Sequence, residues 1–203
     1  MKSNQLLSII GAGGHTRAVI GLLIDNELPI EGFYDTNIKE GEEILGIKGS
    51  LIDNLPDTSQ LILAIGNNEK RSLFYTKYKQ RIYQPTIAHN SAYINSSVVL
   101  KNSSLIFPGA HINSCVFIGE NNIINTKSII EHESIIKNNS HISVGSIICG
   151  RVEIGNNCFV GAGAIIKDQL TICDNVTIGA GAVVVNNISN PGIYVGNPAK
   201  KIR

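Results

Sequence analysis

The 203-residue sequence predicts two unlike parts: an α/β, Rossmann-like region over residues 1–88 and an all-β parallel helix of hexapeptide repeats over residues 89–203. Three observations carry this expectation. Aliphatic residues recur every six positions without a failure from Ile94 to Val184; before that series, a strand, a glycine loop and a helix follow one another twice; and aromatic residues are only 5% of the chain, with no Trp, so both cores must be built from aliphatic side chains.

The first element is the apolar run LLSII, Leu6 to Ile10, which reads as a buried strand. Gly11-Ala12-Gly13-Gly14-His15 follows, and TRAVIGLLIDN then has the apolar spacing of a helix starting near His15 or Thr16. A second run ends in Phe33-Tyr34-Asp35; a third, Leu61-Ile62-Leu63-Ala64-Ile65, leads through Gly66-Asn67-Asn68 into a helical stretch from Glu69 to Lys79. Strand, glycine loop and helix in repetition form a parallel α/β unit. A glycine loop feeding a helix brings backbone N–H groups close to a phosphate. Asp35 lies 21 residues after Gly14, where an acid can bind ribose hydroxyls, and Gly66 and Asn67 face the same crevice. Thr16 occupies the place of the third glycine of a dinucleotide fingerprint, so a plain tight turn stands beside the nucleotide reading. A domain of this length is half of a full doubly wound fold, which suits a mononucleotide or sugar nucleotide better than NAD.

The second part is set by its period. Ile94, Leu100, Ile106, Ile112, Ile118, Ile124, Ile130, Ile136 and Ile142 continue through Ile148, Ile154, Val160, Ile166, Ile172, Ile178 and Val184. Two residues before each stands a small or modest partner such as Ala110, Ser128, Ser146 or Ala164, and positions two apart on a strand share a face. Gly and Asn cluster two or three residues after the aliphatic, where a corner demands backbone that those residues tolerate. Three hexads close one triangular coil, giving about five coils stacked at the ~4.8 Å strand spacing. A β-sandwich has period two and no lock to six across its turns, so it fits poorly.

Charge and motif content narrow the function. Lys plus Arg is 17 against 16 for Asp plus Glu, which argues against nucleic-acid binding. No apolar run approaches the roughly 18 residues of a membrane span, and MKSNQLLSII lacks the apolar segment and cleavage site of a secretory signal, so a soluble cytoplasmic protein is expected. Cys115, Cys149, Cys158 and Cys173 have no C-x2-C spacing and read as small inward or packing residues; no metal is expected. P-loop, G-x-S-x-G and H-E-x-x-H motifs are absent. The most suggestive histidine is His132, in Ile130-Glu131-His132-Glu133-Ser134: two positions past an inward isoleucine it falls on a corner, and flanking carboxylates raise imidazole basicity. His111 and His141 immediately precede inward isoleucines and should point outwards. Each of these histidines also has a bland reading as a surface or packing residue.

The ordered series GAGGH, FYD, AIGNNEKR, INTKSIIEHES, SHISVGS, VEIGNNCFVGAGA and YVGNPAKKIR covers nearly the whole chain. It resembles bacterial nucleotide-sugar N-acetyltransferases of the sialic-acid O-acetyltransferase-like (NeuD/PglD) family. That resemblance implies a left-handed β-helix, acetyl-CoA as donor and the 4-amino group of a nucleotide-linked 4-amino-4,6-dideoxy sugar as acceptor. It makes His132 the general base and Glu133 its orienting acid. It places Gly13, Gly14, His15, Asp35, Thr36 and Gly66 at the sugar nucleotide, and His141, Gly150, Ala162 and Ala180 along the coenzyme. It also implies a homotrimer with each active site between neighbouring β-helices. O-acetylation of a sialic-acid-like sugar and a non-catalytic nucleotide-sugar-binding protein are the competing functions.

Overall fold

The computed structural model describes residues 6–203; residues 1–5, part of the stretch read above for a secretory signal, lie outside them. β1 (Leu7–Ile10) opens the N-terminal sheet and is followed by α1 (Gly14–Asp25), β2 (Ile30–Asp35), β3 (Glu43–Ile44), β4 (Ile47–Leu51), β5 (Gln60–Leu63) and α2 (Asn68–Lys77). The strand order is β3-β4-β2-β1-β5, with β1 parallel to both β2 and β5. The order therefore reverses at β1, and in open α/β sheets the crevice at such a switch point, beyond the carboxyl ends of the strands, is where ligands sit. The hairpin of β3 and β4 had no counterpart in the sequence reading. Its two-residue turn is Leu45-Gly46, at φ 51° and 79°, the double positive φ of a tight hairpin.

The C-terminal part is a parallel β-solenoid of triangular cross-section. Its first face stacks Tyr93–Ile94, His111–Ile112, Ile129–Ile130, Ile147–Ile148, Ile165–Ile166 and Val183–Val184. The second stacks Val99–Leu100 up to Thr171–Ile172, and the third runs from Ile87–Ala88 through His141–Ile142 to Val176–Ile178. Each coil is bonded to the next at a fixed offset of eighteen residues, as in Ile129 to Ile147. The inward isoleucines at 112, 118, 130, 136, 142, 148 and 154 are all 0% exposed, and each stabilises the fold by about 1.5–3 kcal/mol. Ile94 and Leu100 remain half-exposed, being in the first coils.

The corners refine the sequence reading. Positive φ falls strictly three residues past the aliphatic, at every sixth residue from Ser103 to Gly181. Gly109, Gly145, Gly163 and Gly181 and Asn121, Asn139, Asn157 and Asn175 fill eight of those positions, but Cys115, Lys127, Glu133, Arg151 and Gln169 hold the same left-handed backbone. Cys115 is thus an exposed corner residue and not an inward one, whereas Cys158 is fully buried.

The two parts share a core. Leu7, Ile9, Val19, Leu23 and Phe33 of the N-terminal sheet and α1 cluster with Ile87, Leu105, Phe107 and Ile123, so the domain sits on the third face of the prism. Polar contacts border that interface: the Tyr75 hydroxyl donates to Glu120 Oε2 at 3.0 Å, and His89 Nε2 lies 3.2 Å from Asp25 Oδ2.

Candidate active site

A cleft of about 550 Å³ opens at the carboxyl ends of β1 and β5, lined by Gly13, Gly14, His15, Asp35, Thr36 and Gly66 together with Gly11, Ile52, Asn67, Lys70 and Phe74. The six residues expected at a sugar nucleotide are therefore brought to one concavity. Its loop is shaped by Gly11, whose φ is +124° and whose missing Cβ would stand 2.7 Å from the Ala64 carbonyl oxygen; a side chain here would push β1 from β5. Asp35 ties the loop to the end of β2. Its Oδ2 accepts from the Ala12 N–H at 3.0 Å, and its Oδ1 accepts from the Thr36 N–H at 2.7 Å and the Thr36 hydroxyl at 3.2 Å. The carboxylate thus shapes the loop as well as facing the cleft.

His132 occupies the corner between the first and second faces, with its side chain 43% exposed. Its Nδ1 lies 3.0 Å from Glu133 Oε2. A carboxylate only accepts, so Nδ1 carries the proton and Nε2 is left as the basic nitrogen. The other flanking acid, Glu131, is engaged by Asn113 Nδ2 at 2.7 Å, so Glu133 is the acid that orients the imidazole. Sequence reasoning missed Arg151, whose Nε donates to the same Glu133 Oε2 at 3.1 Å. The hydrogen bonds from His132 and Arg151 hold the Glu133 carboxyl below the usual carboxylate range, so it stays ionised. Arg151 lies eighteen residues after Glu133, one coil on, and stepping by one coil from the acid would have found it.

Gly150 stacks beside His132. A Cβ there would be 2.7 Å from both Nε2 and Cε1 of the imidazole, so only glycine leaves the ring its place. The Arg151 N–H donates to the His132 carbonyl at 2.9 Å and locks the two corners in register.

His141 meets different surroundings. It points out of the prism, but into the N-terminal domain, and is 7% exposed. Its Nδ1 donates to the Gly66 carbonyl at 3.3 Å, and its Nε2 accepts from Asn125 Nδ2 at 3.1 Å. Phe159 lies edge-on at 5.2 Å and His15 at 6.0 Å between ring centroids. Burial first, and then the nearby Arg71 cation, lower its pKa to about 3; the same two causes lower that of His15 to about 4. Both imidazoles are neutral near pH 7. The buried His15 Nε2 has no hydrogen-bond partner among the described residues. Ala162 and Ala180 stand exposed at the corner between the third and first faces, successive rungs of one edge. Within one chain the predicted residues therefore form three groups: the cleft with His141 beneath it, the His132–Glu133–Gly150 corner, and the Ala162–Ala180 edge across the first face.

Comparisons with known proteins agree with this architecture. Residues 6–78 match the family model described as the PglD N-terminal domain, and residues 151–186 match that of the bacterial transferase hexapeptide (six repeats). No curated protein matches the chain in sequence. Among solved structures, a histidine variant of perosamine N-acetyltransferase from Caulobacter crescentus, in complex with CoA and GDP-perosamine, is similar at 27% identity and a TM-score of 0.88, covering 99% of this chain and 98% of that one. The acetyltransferase domain of PglB from Neisseria gonorrhoeae, in complex with acetyl coenzyme A, is 26% identical with a TM-score of 0.88 over 98% of this chain and 100% of that one. WeeI from Acinetobacter baumannii, 23% identical over 98% of this chain and 100% of that one with a TM-score of 0.88, shares the fold. The N-terminal part thus matches the PglD N-terminal domain, part of the prism matches the bacterial transferase hexapeptide, and the whole chain shares its architecture with the perosamine N-acetyltransferase and the PglB acetyltransferase domain.

Proposed function

We propose that this protein transfers an acetyl group from acetyl-CoA to the 4-amino group of a nucleotide-linked 4-amino-4,6-dideoxy sugar, in the cytoplasm, as a step toward a surface or protein-linked glycan. The observation that carries this reading is the His132 corner: an outward imidazole whose Nδ1–H is held by Glu133 and whose Nε2 stands free over Gly150. In the reaction the sugar amine attacks the thioester carbonyl carbon and a C–N bond forms. His132 Nε2 takes the proton that the nitrogen loses, the C–S bond breaks, and the imidazolium returns the proton to the departing coenzyme A thiolate. Glu133 keeps the imidazole in the reactive tautomer and stabilises its protonated form, while Arg151 anchors Glu133 and draws off part of its charge. The Gly150 backbone N–H, on the rung next to the imidazole, is a donor for the developing oxyanion.

The cleft and His132 lie on different sides of one prism, so the complete site is read as one shared between copies. In a homotrimer the His132 corner of one chain would meet the Ala162–Ala180 edge and cleft of the next, with coenzyme A between them. The outer side of the first face, with Tyr93 at 51% and Ile165 at 37% exposure beside Ile129, Ile147 and Val183, supplies an apolar surface for such contacts.

The test is incubation with acetyl-CoA and, separately, 4-amino nucleotide sugars and a free nonulosonic acid, following thiol release, with light scattering for assembly. Turnover on an amino nucleotide sugar by a particle three times the chain mass is expected. Turnover on the nonulosonic acid alone, or binding without transfer, rejects the reading.

A further inference from the structure

Arg71, on α2, is 1% exposed and heads the largest fully buried side chains. Among the described residues its hydrogen bonds go to carbonyl or amide oxygens. Nε donates to Asn121 O at 3.2 Å; Nη2 donates to Asn139 O at 2.8 Å, to Ser140 O at 3.3 Å and to Asn68 Oδ1 at 2.8 Å. Nη1 donates to Ile65 O at 3.1 Å and reaches Gly66 O at 3.5 Å. Asn68 in turn donates from Nδ2 to Cys158 O at 2.8 Å. Burying a cation without a carboxylate partner is costly, and desolvation lowers the Arg71 pKa to about 9. The fold tolerates that cost at a place where one planar fork of donors joins a prism corner to the loop after β5.

That loop is part of the cleft. Ile65 and Gly66 line it, and the Gly66 carbonyl is also the acceptor of the His141 Nδ1–H. Arg71 and His141 thus grip the same peptide from two sides, and neither touches the cleft's interior. We propose that Arg71 is a positioning residue for nucleotide-sugar binding: its guanidinium fixes the Ile65 and Gly66 carbonyls, and with them the cleft wall and the tautomer of His141, against the prism. The proposal rests on the cleft being the sugar-nucleotide site.

Arg71→Lys keeps the charge but replaces the fork by three donors on one nitrogen, which cannot span acceptors on three segments. The KM for the nucleotide sugar is expected to rise about tenfold while that for acetyl-CoA stays within about twofold. A merely structural arginine would lower Tm and the active fraction but leave both KM values unchanged. The second readout needs no substrate. In 15N-histidine spectra of the wild type, His141 should show the single Nδ1–H tautomer, and in R71K a mixture of the two.

Both changes are expected, and either one absent from folded R71K overturns the proposal. If the wild type acetylates no nucleotide sugar, the functional reading fails, and the His141 spectrum still decides the role of Arg71. Should R71K not fold, Asn68→Ala removes one Nη2 acceptor and the tie to Cys158. A KM rise of about threefold with the same spectral change is then expected, and an unchanged KM and spectrum overturns the proposal.

Discussion

His132 and His141 stand nine residues apart on one prism and both direct Nδ1 at an oxygen, but they differ in exposure and in the charge beside them. His132 is on a corner, near water, with a carboxylate on Nδ1 and a bare Nε2. His141 is on a face, under a second domain, beside a buried guanidinium, with both nitrogens bonded and its pKa lowered to about 3. The first leaves Nε2 open to an incoming group, whereas the second cannot charge without disrupting its contacts. A hexad offers outward side chains on faces and at corners, and what covers each position decides whether an imidazole there serves chemistry or architecture.

The sharpest way to break the comparison is to delete each ring. His132→Ala should lower the acetyl-transfer rate by about 10²–10⁴ while leaving Tm, and its rise on adding nucleotide sugar, as in the wild type. His141→Ala should lower Tm, because the Gly66 carbonyl and Asn125 amide lose a buried partner. Equal rate losses without a Tm difference between the two variants would erase the distinction.

Gly150→Ala sharpens the corner side. The backbone there tolerates alanine, but its methyl would sit 2.7 Å from the imidazole Nε2, and the ring must swing aside. A displacement of this size is expected to lower kcat by about 10²-fold, with Tm within a few degrees of the wild type. Wild-type kcat would show that the ring's seat over Gly150 is not the reactive one.

Much of this was legible in the sequence because the prism's geometry is its period. One coil is eighteen residues, so any residue's neighbours above and below can be counted, and the placement of Gly150 beside His132 follows from subtraction. The acid that holds His132 was not legible: both Glu131 and Glu133 flank it, and only the corner shows that Asn113 engages the first. Composition also misled at the corners, where Glu133 and Arg151 take a backbone expected of Gly and Asn. The N-terminal domain has no period to count. The Gly loop and Asp35 could be read as a motif, and the β3–β4 hairpin rests on a local turn, Leu45-Gly46, but the role of Arg71 depends on contacts across long sequence separations, Asn121 and Asn139 among them.

The buried side of the comparison makes a pH prediction. His15 and His141 have folded pKa values of about 4 and about 3, below the ordinary 6.5, so the unfolded chain binds their protons first as pH falls. Their contribution to stability is present above pH 6.5 and is lost as pH falls toward those folded values. The loss is on the order of 1 kcal/mol per pH unit for each ring, shared because the rings interact. Tm should therefore fall between pH 6.5 and 4. His141→Asn should make that slope shallower than in the wild type; an unchanged slope would mean that burial of this ring does not set it.

The smallest expected effect concerns the backbone beneath the His132 corner. Glu133 sits at φ 60°, a left-handed conformation that asparagine accepts more easily than a longer side chain, and asparagine fills the same position at 121, 139, 157 and 175. Its side chain reaches outward to His132 and Arg151, so nothing buried depends on it. Glu133→Asn should then raise Tm slightly, by about 2 °C, while lowering the acetyl-transfer rate, because the imidazole loses the carboxylate that fixes its tautomer. A gain in stability coupled to a loss in rate would mark Glu133 as held in a strained backbone for the sake of the reaction. A fall in Tm would instead make its ion pair with Arg151 a structural strut, and the corner would resemble the face after all.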